Sequence, residues 1–182
     1  MTSIPTLDTE RLVLRAFVRA DAPIVQRLVS ERVIADTTLN IPHPYPEGGA
    51  ETWIDAHERQ WQTREGVHFA VVRRGDHALL GAMGLRPAMH HAHAEIGYWI
   101  GSPYWGQGYA TEAARAVVGF GFAGMGLRRI FAHYLARNPA SGRVLAKLGF
   151  RHEGLLRRHY LKWGQPEDVI VCGLLADELE GL

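Results

Sequence analysis

Residues 100–120 read IGSPYWGQGYATEAARAVVGF, a glycine-rich turn followed by a run that predicts one amphipathic helix. Helices usually begin at Ser, Thr, Asp or Asn, because these side chains accept a hydrogen bond from an N–H group of the first turn. Gly106, Gln107 and Gly108 stand in that place here. The first N–H groups of a helix lack internal partners, and the helix dipole makes this end positive. The segment therefore predicts a helix end that attracts an anion.

The glycine pair allows two interpretations. Gly106 and Gly108 permit close backbone approach, so that successive N–H groups from Gln107 to Thr111 can converge on a diphosphate. The alternative is an ordinary glycine turn between a strand and a helix, and a Gly-x-Gly pattern by itself does not decide between them. Two rival phosphate motifs are excluded, because Thr111 stands at the third glycine of the dinucleotide fingerprint and no Gly-Lys-Ser/Thr follows for a P-loop.

The composition is that of a globular protein with balanced charge. The chain has 182 residues, and 20 basic against 19 acidic residues indicate neither nucleic acid nor an anionic membrane as a partner. Cys172 is the one cysteine, which excludes an internal disulfide. No apolar run approaches the ~20 residues that span a bilayer, and the first residues lack the layout of a signal peptide. We expect one domain over residues 1–182, located in the cytoplasm, as a monomer or homodimer.

The hydrophobic pattern predicts the element order β-α-α-β-β-β-α-β-α-β-β. This order is neither strict βαβ alternation nor purely antiparallel, so we expect an α/β fold with a mixed sheet and helices on both faces. Asp21 is predicted to cap a helix that ends near Ser30, and the helix after the glycine turn is predicted to run from Tyr109 to about Met125. A further helix is expected to carry on one face the residues Trp53, Ile54, His57 and Trp61.

Two segments carry a family resemblance, AEIGYWIGSPYWGQGYATEA at residues 94–113 and NPASGRVLAKLGF at residues 138–150. With their surroundings they resemble the GNAT acyltransferases, and most closely the RimJ/RimL-like branch. The similarity runs from LDTERLVLR at residues 7–15 to DVIVCGLL at residues 168–175. The resemblance implies an acetyl-CoA-dependent N-acetyltransferase that works by direct transfer in a ternary complex. It also implies an α+β fold whose mostly antiparallel sheet splays between the fourth strand, residues 94–100, and the fifth, residues 129–135.

The resemblance implies which residues bind acetyl-CoA. The superfamily signature Gln/Arg-x-x-Gly-x-Gly/Ala holds the pyrophosphate, and Gly108 and Ala110 fall on its last two fixed positions. Trp105 falls on the first, a departure from the superfamily that is typical of the branch. The pantetheine arm is implied to pair like an extra strand with backbone near Ile100 and Gly101. The predicted cofactor-binding residues are Ile100, Gly101, Trp105, Gly106, Gln107, Gly108, Tyr109, Ala110, Thr111 and Asn138.

Two residues are predicted to act in catalysis. Glu95 begins the fourth strand, where several GNAT enzymes carry a general-base glutamate; an ordinary strand-end charge is the alternative. Leu145 stands at the superfamily's tyrosine position, so the resemblance assigns protonation of the departing thiolate to Ser141. A helix-start serine is the alternative there. Asn138, followed by Pro139, is also typical of a helix N-cap.

The acceptor is less defined than the cofactor. By resemblance we favour a protein or peptide N-terminal α-amine of the ribosomal-protein type, bound near Trp53, Tyr98 and Trp163. A small amine, an amino acid or an amino-sugar antibiotic is the alternative acceptor, and a non-catalytic acyl-CoA-binding module is the alternative class. No metal is expected, because His90, His91 and His93 crowd one loop without a carboxylate or cysteine to complete a site. His133, in an apolar strand, is expected to be a core histidine.

We predict that Gly108→Asp abolishes CoA binding and leaves the protein folded. A carboxylate at this position repels the diphosphate and itself accepts the N–H groups of the first turn. Calorimetric titration with CoA measures the loss. If the folded variant bound CoA with unchanged affinity, this helix end would not be part of the cofactor site.

Overall fold

One eight-stranded sheet organises the residues that the computed structural model describes, residues 3–179. The strands are β1 (Leu7–Asp8), β2 (Leu12–Ala16), β3 (Val67–Arg73), β4 (Leu79–Ala88), β5 (His93–Ile100), β6 (Arg129–Leu135), β7 (Arg151–Lys162) and β8 (Gln165–Leu175). The helices are α1 (Ala22–Val29), α2 (Arg32–Thr37), α3 (Gly49–Asp55), α4 (His57–Gln62), α5 (Tyr109–Gly119) and α6 (Pro139–Ala146). The short β1 is additional to the predicted strands, so the predicted fourth and fifth strands are β5 and β6.

The sheet is mixed and mostly antiparallel, as predicted. Its strands lie in the order β1-β2-β3-β4-β5-β6-β8-β7. Neighbouring strands are antiparallel except β5 and β6, which are parallel. A parallel neighbour needs a crossover connection, and α5 provides it between β5 and β6. The glycine-rich turn therefore lies at the junction of the two halves of the sheet.

The predicted splay between these two strands is confirmed. They pair only at His93 with Arg129, Ala94 with Ile130 and Glu95 with Phe131. On the other edge of β5, Gly101 donates its N–H to the carbonyl of Leu80 over 2.8 Å. Alternation along an antiparallel ladder then turns the backbone groups at positions 96, 98 and 100 away from β4. Those groups face the gap that opens beyond Glu95.

Helices cover both faces of the sheet, as the element order predicts. On one face, Val117 of α5 is buried in a core with Leu85 and Ile130. On the other face, Val25 of α1 and Ile54 of α3 are buried in a second core that includes Ala70, Val72 and Leu79. These two layers hold β5 and β6 in place on either side of the gap.

One local prediction about the helices is wrong, and two others hold for the position of the helix but not for its details. The helix expected to carry both Trp53 and His57 is divided at Ala56 into α3 and α4, and at the break His57 is buried against Trp53. The helix that starts at Tyr109 is α-helical only to Gly119 and continues as a π-helical turn over residues 120–124. Asp21 precedes α1, but its carboxylate does not cap that helix.

The carboxylate of Asp21 instead joins β2 to the turn before α1. It accepts hydrogen bonds from Arg15 Nη1 over 2.7 Å, from Arg15 Nη2 over 2.9 Å and from the N–H of Val18 over 2.9 Å. Burial alone would raise the pKa of Asp21, but the bonds from Arg15 and Val18 outweigh it and the pKa lies below its ordinary value. The ionised carboxylate therefore stabilises the folded state.

We predict that Asp21→Asn lowers the free energy of unfolding by about 1–3 kcal/mol near neutral pH, because Arg15 and Val18 lose a charged acceptor. A depressed folded-state pKa stabilises above the unfolded pKa, and this contribution is lost as the pH falls through the folded pKa. Urea denaturation near neutral pH and in acid should show a difference between the proteins that shrinks in acid. Asp55→Asn is the control, since its contact with Arg19 is exposed and 3.8 Å long. A difference that does not depend on pH would contradict the assignment.

Candidate active site

A cavity of about 380 Å³ lies where β5 and β6 separate. Four of the predicted site residues line it, namely Trp53, Glu95, Tyr98 and Ser141. Glu95 and Tyr98 are three positions apart on β5, so their side chains leave opposite faces of the strand. Both reach one cavity because β6 no longer pairs with β5 beyond Glu95. Because of the splay, side chains from both faces of the sheet line the same cavity.

Glu95 is the last residue of β5 that pairs with β6, and its carboxylate lies between the side chains of Arg86 and His133. Its Oε2 accepts a hydrogen bond from Arg86 Nη2 over 2.9 Å, and its Oε1 lies 3.2 Å from His133 Nδ1. Arg86 is directly opposite Glu95 in the β4–β5 pair. The Glu95 side chain is 18% exposed. The arrangement keeps an acidic group at the edge of the cavity with both oxygens engaged.

The prediction that His133 is a core histidine is wrong. The residue lines the cavity, and its side chain is 23% exposed. Alternation along β6 places Phe131 and His133 on the same face, where the two rings meet edge to face with centroids 5.4 Å apart. That face is open where β5 departs. The apolar alternation of the strand could not reveal this, because the opening depends on how far β5 and β6 pair.

Ser141 and Tyr98 meet on the other face of β5. Ser141 Oγ lies 2.7 Å from the Tyr98 hydroxyl, and either atom can donate this hydrogen bond. Burial raises the pKa of Tyr98 to about 12, although the bond to Ser141 acts in the opposite direction. The phenol is therefore protonated at neutral pH. Together the two hydroxyls form a short chain of proton donors at the cavity wall.

Asn138 caps α6, which confirms the N-cap interpretation. Its Oδ1 accepts a hydrogen bond from the N–H of Ser141 over 3.3 Å, and its Nδ2 donates to the carbonyl of Thr37 over 3.0 Å. The cap fixes the backbone that presents Ser141. The contact to cofactor implied for Asn138 stays a prediction, since its amide is engaged with the chain on both sides.

The first turn of α5 has no side-chain cap, as predicted. Gly106 and Gly108 have φ values of +74° and +83°, in the left-handed region that favours glycine. Arg11 approaches this turn and donates to the carbonyl of Gln107 over 3.1 Å. Its guanidinium also lies 4.7 Å from the centre of the Tyr109 ring. Uncapped N–H groups beside a cation suit a diphosphate in both geometry and charge.

Asparagine tolerates the left-handed region and carries no charge, so Gly108→Asn is the matched control for Gly108→Asp.

Sequence reasoning missed Arg11, because it lies on the turn before β2, almost one hundred positions from α5. Its Nε donates to Glu112 Oε2 over 2.7 Å, and its N–H donates to Glu112 Oε1 over 2.8 Å. Thr9 donates to the same carboxylate over 2.6 Å. Glu112 thus anchors Arg11 at the start of α5. Only the folded chain brings this cation to the predicted anion site.

The backbone at the end of β5 is already partly engaged. Trp105 Nε1 donates to the carbonyl of Ile100 over 2.5 Å, and the N–H of Gly101 is bonded to Leu80. Trp105 therefore secures the turn that leads into α5, which is a role for the residue that departs from the superfamily signature. The pantetheine contacts implied for Ile100 and Gly101 stay predictions.

The segment over residues 37–42 covers the cavity and is tied down by Lys162. Lys162 Nζ donates to the carbonyls of Thr38 over 2.9 Å and Ile41 over 3.0 Å. Burial lowers the pKa of this amine. Trp163, predicted to bind the acceptor, is 43% exposed and lies over Arg32 and Lys162, outside the residues that line the cavity.

Two neutral histidines extend the wall around Trp53. The rings of His57 and His68 are stacked with centroids 4.4 Å apart, and the Trp53 ring meets His57 at 4.3 Å. Burial, together with His68, lowers the pKa of His57 to about 3. Burial, together with the charge of Arg86, lowers the pKa of His68 to about 4. At neutral pH this wall therefore carries aromatic surface and no charge.

The histidines of the predicted loop do not form a metal site. No group of three or more His, Cys, Asp or Glu side chains among residues 3–179 is arranged to hold a metal ion. The rings of His90 and His91 are 3.9 Å apart, but they belong to no such group. Every helix within residues 3–179 is too short or too polar to span a lipid bilayer.

The geometry agrees with comparisons to known proteins. Residues 11–151 match the family described as the acetyltransferase (GNAT) domain. YoaA, an uncharacterized N-acetyltransferase of Bacillus subtilis, is 33% identical over 172 residues, which cover 94% of this chain and 97% of YoaA. The [ribosomal protein uS5]-alanine N-acetyltransferase of Escherichia coli is 27% identical over 147 residues, which cover 72% of this chain and 69% of that enzyme.

A solved structure supports the same assignment. RimJ of Mycobacterium smegmatis, in complex with CoA-disulfide, superposes with a TM-score of 0.86 and 25% sequence identity, covering 98% of this chain and 90% of RimJ. The family match over residues 11–151 includes the splay, the uncapped start of α5 and the start of α6. The chain belongs to the GNAT acetyltransferase family and is one of its N-acetyltransferases.

Proposed function

We propose that this protein transfers the acetyl group of acetyl-CoA to a primary amine, by direct attack in a ternary complex. The favoured acceptor is the N-terminal α-amine of a protein or peptide of the ribosomal-protein type. The observation that carries the proposal is the cavity at the splay, which exposes the acidic Glu95 from one face of β5 and the Tyr98–Ser141 hydroxyls from the other. A cytoplasmic location belongs to the same proposal and is supported by the single cysteine.

The cofactor is proposed to bind along the gap. The uncapped first turn of α5, from Gln107 to Thr111, with Arg11 beside it, would hold the diphosphate. The backbone groups of β5 that face the gap would pair with the amides of the pantetheine arm, because they need hydrogen-bond partners. This placement would bring the thioester toward Ser141. Acetyl-CoA supplies the acyl group and the thiolate leaving group.

The acceptor amine must be neutral to attack, so a proton must leave it. Near pH 7.4 the deprotonation of a lysine amine costs about 4 kcal/mol, whereas an α-amine costs less than about 1 kcal/mol. The acidic group at the cavity is Glu95, whose oxygens are bound by Arg86 and His133. An α-amine therefore needs much less help from a base than a lysine does, which favours it as the acceptor. The uS5-alanine acetyltransferase among the relatives, whose name specifies a ribosomal protein, favours the same class of acceptor.

The thiolate that leaves is proposed to take its proton from Ser141. The hydroxyl can donate because the Asn138 cap fixes its backbone and the Tyr98 hydroxyl lies within hydrogen-bond distance to replace the proton. Tyr98 was predicted to contact the acceptor. Its contact with Ser141 adds a proposed role in supplying the proton.

We predict that the protein releases CoA from acetyl-CoA in the presence of peptides with a free N-terminal α-amine. The panel contains such peptides, the same peptides blocked at the N-terminus, free amino acids, small amines and amino sugars. Thiol release and peptide mass measure turnover, and the blocked peptides are the control. Acetylation confined to the small amines or amino sugars would contradict the proposed acceptor. CoA binding without turnover of any amine would favour the non-catalytic acyl-CoA-binding module.

We predict that Ser141→Ala lowers kcat by roughly 10²- to 10⁴-fold, the usual contribution of general acid catalysis, with little change in the affinity for acetyl-CoA. Steady-state kinetics and calorimetry measure the two quantities. Ser30→Ala is the control, because Ser30 is exposed, donates to the carbonyl of Gln26 and does not itself line the cavity. Wild-type turnover in Ser141→Ala would contradict the role of Ser141 as proton donor and would show that it acts only as a residue at the start of α6.

A further inference from the structure

We infer that His133 is the residue that takes the proton from the acceptor amine, and that Glu95 acts through it as a positioning residue. This inference rests on the proposed function, since it concerns the proton that amine acetylation must remove. It assigns a role to a side chain that the strand pattern had placed in the core. The observations that support it are the contact of His133 with Glu95, the two engaged oxygens of Glu95 and the open side of the imidazole.

The contact with Glu95 determines which nitrogen of His133 can accept a proton. His133 Nδ1 lies 3.2 Å from Glu95 Oε1. An ionised carboxylate only accepts hydrogen bonds, so the neutral imidazole carries its hydrogen on Nδ1 and its lone pair on Nε2. Within residues 3–179, Nε2 has no hydrogen-bond partner, and the side chain lines the cavity. The basic nitrogen is therefore free for a ligand in the cavity.

Glu95 is less suited to take the proton directly. Its Oε2 accepts a charge-assisted hydrogen bond from Arg86 over 2.9 Å, and its Oε1 is committed to His133. A proton that arrived at either oxygen would have to displace one of these two contacts. An imidazole nitrogen with a free lone pair can accept a proton and later release it, as a general base must.

Few other charges face His133. Arg86 on β4 is paired with Glu95. His68 on β3 is neutral at physiological pH, because its pKa is about 4. Phe131 covers one edge of the imidazole. On β8 the position paired with His133 is Val171, an apolar residue. Glu95 is thus the acid in direct contact with His133, and its carboxylate accepts the Nδ1 hydrogen of the imidazole in either charge state.

The proton balance is complete with the groups named. The ammonium of the acceptor gives one proton to His133 Nε2, which later passes it to solvent. The amine lone pair forms the new C–N bond, and the C–S bond breaks with its electron pair on sulfur. The nitrogen loses a second proton as the amide forms, and this proton also passes through His133 to solvent. The thiolate gains a proton from Ser141, Ser141 regains one from Tyr98, and Tyr98 regains one from solvent, so that one proton is released in total. The products are the acetylated amine and CoA as its thiol.

A double-mutant cycle tests the inference, with His133→Gln, Glu95→Gln and both together, assayed on a peptide that the wild-type protein acetylates. We expect each single variant to lose roughly 10²-fold or more in kcat/KM, with CoA affinity unchanged. If Glu95 acts through His133, adding Glu95→Gln to His133→Gln should cost only about threefold more, because residues that act as one unit are not additive. Full additivity, or wild-type turnover in His133→Gln, would overturn the inference.

Chemical rescue and a control separate catalysis from folding. Added imidazole should restore a large part of the turnover lost in His133→Ala and should not restore Glu95→Gln, whereas a structural role predicts rescue of neither. His152→Gln, an exposed histidine on β7, should keep wild-type kinetics. Circular dichroism and CoA affinity report whether each variant is folded. If the wild-type protein acetylates no amine, the proposed function and the inference both fail. If the wild-type protein is active but the His133 variants keep full activity, or imidazole does not restore His133→Ala, the inference alone fails.

Discussion

The parting of β5 and β6 after three paired residues is the constraint on which the rest of the site depends. A sheet that loses its ladder leaves backbone N–H and C=O groups without partners, and such groups are costly unless something else satisfies them. At the end of β5 the chain satisfies one of them itself, because the Trp105 indole donates to the carbonyl of Ile100. The backbone groups at positions 96 and 98 face the gap, where a ligand with amide groups can form hydrogen bonds with them.

The same parting explains the chemistry at the cavity. In a continuous sheet, side chains three positions apart on one strand are separated by the sheet itself. Here Glu95 with His133 lies on one side of β5 and Ser141 with Tyr98 on the other, yet all four line one cavity. A group that takes a proton and a group that gives one can therefore face a single reacting centre. The cap at Asn138 and the clamp at Lys162 fix the elements that close this space.

The sequence predicted what depends on local pattern. The order of strands and helices, the mixed sheet, the uncapped start of α5 and the cap at Asn138 follow from periodicity and from residues adjacent in the chain. Features that depend on register between distant strands could not be predicted. His133 was placed in the core because the alternation of β6 is apolar, and Arg11 was overlooked because the contact with α5 joins distant segments. The break between α3 and α4 reflects tertiary packing of His57, which outweighs helical periodicity.

A crystal structure of this protein with CoA tests the central claim most directly, because the claim concerns where the reacting centre lies. The account predicts that the diphosphate is bound by the N–H groups at the start of α5, and that the arm enters the gap between β5 and β6. The sulfur should then lie within about 3–4 Å of Ser141 Oγ, with His133 Nε2 facing the acetyl position across the cavity. A CoA molecule bound elsewhere, or a sulfur outside the gap and beyond reach of Ser141, would contradict the account.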